Sequence, residues 1–219
     1  YSLAAAALCI SASSVAAECV PAPGGVDDEI GAANRVNPER TLAAAQLIKK
    51  GESHPLGIVL DPNMPAFPPR YTALQVVQPN QHFGADPGFG WDADYNDDVL
   101  QMWLGTGPQL DGLGHIGESG EFYNCNEGSE FSSITGLTKL DVSGIPPIVG
   151  RGVMIDMAKH MGVDYLTAGQ PITSDAIKAA MAAQDVTISE GDIVLLHTGY
   201  TDAKLKTDPQ LWGSSIPGI

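Results

Sequence analysis

The feature that most constrains this chain is the continuous apolar run from Ile193 to His197, bounded by Gly191-Asp192 before it and Thr198-Gly199 after it. A run of this length without polar alternation reads as a central strand, and strands covered on both faces belong to sheets flanked by helices. The text before it supplies a helix and a second strand. Ile172-Thr173 opens a helix that runs to about Ala183, with a staple from Ile172 to Ile177, and Ile148 to Met157 reads as a buried strand. Nearer the start, Asn37 is a good N-cap with Pro38 at the first helical position, and Leu42, Ala45 and Ile48 carry that helix to Gly51. Leu56 to Leu60 and Leu74 to Val77 read as strands separated by the Pro-rich turn from Pro62 to Pro69. Strands interleaved with helices predict an α/β fold, a single domain with a mixed β-sheet flanked by helices.

The first 17 residues form an uncharged small-apolar run ending in Val15-Ala16-Ala17 before Glu18, as a partial signal peptide does, which predicts export to the periplasm or outside the cell. The run is shorter than the roughly 20 residues of a membrane span, so no membrane association is expected after cleavage. Residues 18–26, with Pro21 to Gly25, read as a linker, and the domain is expected over 27–219. With 26 Asp and Glu against 11 Lys and Arg and no basic cluster, the chain is a poor partner for nucleic acid, whose phosphates need clustered cations. Cys19 and Cys125 could pair in an oxidising compartment, although a buried free thiol is the simpler reading of Cys125.

The chemistry concentrates in Gly105-Thr106-Gly107-Pro108-Gln109-Leu110-Asp111-Gly112-Leu113-Gly114-His115, directly after the apolar run Val99 to Leu104. Gln109 and Asp111 alternate as same-face positions of an extended segment do, so both can address one spot. The glycines keep that spot uncrowded and allow turns of positive φ. The polar stretch from Gln78 to Asp98 carries Phe83, Phe89, Trp91 and Tyr95, which line a pocket or anchor a long loop. His197 reads as a strand-end histidine, His160 as a helix-end residue, and His54 and His82 as solvated loop residues.

The glycine-rich segment resembles the signature of the cyclase superfamily, which includes bacterial kynurenine formamidase and isatin hydrolase and reads HxGTHxDxxxH. Asp111 and His115 match its Asp and last His, whereas its two earlier His positions fall on Gly105 and Gln109, and its GT falls on Gly107 and Pro108. Further segments similar to the family are Asp28-Glu29-Ile30-Gly31-Ala32, Asn37-Pro38-Glu39-Arg40, Met64-Pro65 with Phe67-Pro68, Phe122-Tyr123-Asn124, Gly150-Arg151-Gly152-Val153, and Gly191 to Tyr200.

The resemblance implies a cyclase-like swivelling β/α fold and a metal-dependent hydrolase of small formylated or cyclic amides, a homodimer whose bound ion activates water. It places Asp111 and Gln109 at the metal, His115 at proton transfer, and Met64, Phe67, Tyr123 and Asn124 around a small-molecule substrate. An oxygen-rich donor set favours Mn²⁺ over Zn²⁺. In the family, Pro217-Gly218-Ile219 opens a further helix, and later strands add a His and a Glu to the metal site, so the chain is expected to be C-terminally truncated. The alternative reading is a metal-free small-molecule-binding protein that keeps the fold.

Overall fold

The computed structural model describes residues 19–77 and 96–218. Residues 1–17, read above as a partial signal peptide, His82 and the aromatic residues Phe83, Phe89, Trp91 and Tyr95 lie outside the described residues. The described residues divide into two compact units, one of residues 19–31 and 112–145 and the other of residues 32–77, 96–111 and 146–218.

The second unit carries the α/β pattern. Helix α1, Pro38–Ala45, begins where expected, with the Asn37 side chain accepting a hydrogen bond from Arg40 N at 2.9 Å. It ends at Ala45 and does not reach Gly51, because its apolar stripe is not packed: Leu42, Leu47 and Ile48 are all more than half exposed. Periodicity without a buried face does not hold a last helical turn. Strands β1, Thr72–Val77, and β2, Asp97–Met102, pair antiparallel with Thr72 opposite Met102 and Val77 opposite Asp97. The run Leu56 to Leu60 forms no strand, and Leu56 and Val59 stand in solvent.

Strand β3, Gly152–Asp156, leads directly into the short helix α2, Met157–His160, so the expected strand from Ile148 is shorter at both ends. Helix α3, Ser174–Ala183, is capped by the Thr173 hydroxyl, which accepts from Ala176 N at 3.2 Å. Strand β4, Ile193–His197, returns parallel to β3 with Gly152 opposite Ile193 and Asp156 opposite His197. Ile155, Met157, Leu166, Ile172 and Ala180 form the core, with Ile177 and Leu196 packed against it, so the staple pair Ile172 and Ile177 meets in the core. The other face of this strand pair is open among the described residues: Met154 and its partner Leu195 are 58% and 41% exposed. β4 is therefore covered less than its unbroken apolar run predicts.

Helices α4, Tyr200–Lys204, and α5, Pro209–Trp212, complete the second unit. Gly199 before α4 has φ +67°, and a Cβ there would run into Asp164 O, so both the backbone and the packing require glycine. Tyr200 is buried and donates to Ser215 O at 2.8 Å, and its burial pushes the phenol pKa up.

The first unit is built around Phe131 and Leu140, with the rings of Phe122 and Phe131 edge to face at 5.2 Å. Its short strand pairs are Glu121–Phe122 with Asn126–Glu127 and Ser132–Ser133 with Gly136–Leu137, all antiparallel. Cys19 and Cys125 are joined by a disulfide with Cα atoms 5.7 Å apart, which replaces the free-thiol reading of Cys125. The expected linker is pinned as well. Asn124 accepts from Ala22 N and donates to the carbonyls of Gly25, Val26 and Asp28.

Candidate active site

The signature segment is shared between the units, with Gly105 to Asp111 in the second and Gly112 to His115 in the first. In the second unit, Gln109 Nε2 donates to Asp111 Oδ2 at 3.0 Å, so the alternation along the sequence does bring the amide and the carboxylate together. Gln109 Oε1 faces the other way, 2.8 Å from where a Cβ on Gly105 would stand. Arg70 occupies the rest of that space. Its Nη1 donates to Gly105 O at 2.9 Å and would lie 2.5 Å from the same Cβ. No side chain fits at Gly105 while the guanidinium is there.

A cavity of about 170 Å³ opens beside this group. Phe67, Arg70, Gly105, Gln109, Trp212 and Ile216 are among its lining residues. Phe67 and Arg70 come from the Pro-rich turn and its end, Gly105 and Gln109 from the signature, and Trp212 from α5. Met64 lies beside the same loop, its Sδ and Cε 3.3 Å from the Cβ position of Gly107, whose φ of +77° is the positive-φ turn expected in the segment. Arg70 and Trp212 are the residues that sequence reasoning missed. The one local signal was an arginine at the end of a family-like Pro-rich turn, in a chain with few cations.

In the first unit, Gly112 and Gly114 serve packing and not positive φ. A Cβ on Gly112 would stand 2.8 Å from Leu140 O, and one on Gly114 would meet Leu137 and Phe131. His115 follows them with an exposed side chain, its N–H donating to Gly112 O at 3.0 Å. Tyr123 and Asn124, expected around a substrate, both contact the segment at Asp28. Tyr123 donates to Asp28 Oδ2 at 2.8 Å, while Asp28 Oδ1 accepts from Ile30 N and Gly31 N. Burial and then the Asp28 carboxylate raise the Tyr123 pKa. Asn124 sits in the left-handed region, φ 58°, which asparagine tolerates better than most residues, and its side chain is fully used in holding the chain before Asp28.

The remaining family-like segments are also structural. Arg151 and Asp192 form a two-point ion pair, Nε to Oδ1 at 3.0 Å and Nη2 to Oδ2 at 2.6 Å, that joins the starts of β3 and β4. With Ser189 N also donating to it, the Asp192 carboxyl is held down to about 2. At the far ends of the same strands, His197 Nδ1 lies 3.1 Å from Asp156 Oδ1, and Asp156 also caps α2 through Lys159 N. The Lys159 N–H first and His197 second lower the Asp156 pKa.

A metal is a poor fit to these residues. Gly105 has no donor, and among the described residues the expected pair Gln109 and Asp111 meets no third ligand. Among the described residues no three His, Cys, Asp or Glu side chains converge on one point. The space beside Gly105 holds a guanidinium, which stays protonated and repels a divalent cation. The Mn²⁺ or Zn²⁺ centre that the resemblance implies also draws on a His and a Glu from later strands of the family fold, so these residues alone do not make it.

The described residues form an α/β protein with a cavity beside a glycine-rich segment. Residues 53–219 match the family described as "Putative cyclase". A solved structure described as a novel cyclase is 32% identical, with a TM-score of 0.73 over 85% of this chain. The chain belongs to the cyclase family. It spans 63% of the length of that structure's chain, and no curated protein matches it.

Proposed function

We propose that this protein is a cyclase-family enzyme that hydrolyses small formylated or cyclic amides, with the reacting bond held beside Gln109 and Asp111. The observation that carries the reading is Gln109, which lines a cavity large enough for one ring-sized molecule and donates to the Asp111 carboxylate. Asp111 is the base. Water adds to the amide carbonyl carbon and gives its proton to the Asp111 carboxylate, then the C–N bond breaks and the proton passes to the leaving nitrogen. Gln109 fixes the carboxylate, and Phe67 with Trp212 presents apolar surface to the substrate ring. The resemblance gives His115 a proton-transfer role.

Hydrolysis of formylated anilines and cyclic amides tests this. Asp111→Ala is expected to lower kcat about 10²- to 10⁴-fold, the usual contribution of a positioned base. His115→Ala is expected to lower kcat with KM little changed, and a chelator is expected to have no effect. Export is part of the proposal. A disulfide persists in an oxidising compartment, which supports cleavage of the leader before Glu18, and N-terminal sequencing of the mature protein checks it. The loss of both early imidazoles, at Gly105 and Gln109, favours a second reading, a metal-free binding protein. Tight ligand binding with no turnover of any amide would select it.

A further inference from the structure

We infer that Arg70 is the fixed positive charge of this site in place of a metal ion, and that its guanidinium binds the carbonyl or carboxylate oxygen of the ligand. The inference rests on the cavity beside Gly105 being the reaction site. The guanidinium fills the space that a side chain at Gly105 would need, and Gly105 O accepts from its Nη1 at 2.9 Å, so the group is held where the signature otherwise puts an imidazole. That bond engages one donor of five, and Arg70 lines the cavity together with Gln109. No carboxylate among the described residues is paired with it. Such a cation, set among the apolar and aromatic surfaces of Phe67, Ile216 and Trp212, matches a planar molecule with an oxygen at one end. Its charge is permanent and needs no reorganisation to stabilise an oxyanion.

The two roles of Arg70, charge donor and obstacle to metal, make separate predictions. Wild-type protein titrated with Mn²⁺ or Zn²⁺ is expected to bind neither stoichiometrically. The triple variant Arg70→Ala, Gly105→His, Gln109→His is expected to bind one Zn²⁺ at least 100-fold more tightly. Benzoate serves as the oxygen-anion probe and benzamide as its neutral isostere. Arg70→Ala is expected to weaken benzoate at least 10-fold and benzamide less, with Arg70→Lys between, in proteins whose thermal melts match wild type. A stoichiometric metal ion on the wild-type protein, or benzoate affinity indifferent to Arg70→Ala, overturns the inference. Arg70-dependent benzoate binding with no amide turnover supports it and overturns the hydrolase reading alone.

Discussion

Asp192 shows how one side chain adds to the acid sensitivity of the second unit. Its carboxyl titrates at about 2 in the folded protein against 3.8 when unperturbed, because Arg151 and Ser189 N hold the charged form. A folded pKa below the unfolded one stabilises the fold at all pH values above about 4, and that contribution disappears as pH falls from 3.8 towards 2. Asp156 is shifted in the same direction by Lys159 N and His197. Melting temperature is therefore expected to fall steeply between pH 4 and 2, and Arg151→Ala to flatten that slope; thermal melts across the range check it. The sequence showed Arg151 and Asp192 only as parts of two separate family-like segments, since a pair 41 positions apart has no local signal.

At the scale of elements, the caps were legible and the ends were not. Asn37 and Thr173 each accept a hydrogen bond from the third residue onwards, an interaction fixed within one turn and therefore readable from neighbouring letters. Thr173→Ala is expected to cost about 1 kcal/mol in chemical denaturation. Ile155 lies fully buried on β3 against Leu166 and Ala180, and Ile155→Ala is expected to cost about 2 to 5 kcal/mol through lost contacts and a cavity, measured the same way. The early end of α1 and the unpaired run Leu56 to Leu60 have the opposite lesson. Apolar pattern proposes an element, but a packed face or a paired edge decides whether it persists.

For the whole molecule, the Cys19–Cys125 bond closes a separation of 106 residues, and a loop of that order contributes about 4 to 5 kcal/mol in the chain-entropy account. Cys125→Ser is expected to lose about that much, and oxidised and reduced wild-type protein to differ by the same amount in guanidinium unfolding. The sequence by itself determined the α/β class, the family, and the meeting of Gln109 with Asp111, because strand period, caps and short motifs are properties of neighbouring residues. Tertiary structure alone decided that Cys19 and Cys125 pair, that Tyr123 and Asn124 serve the Asp28 segment, and that Arg70 stands in the space left open at Gly105. Each of those depends on residues 35 to 106 positions apart arriving at one point, and their distance is set by the packing of the chain between them.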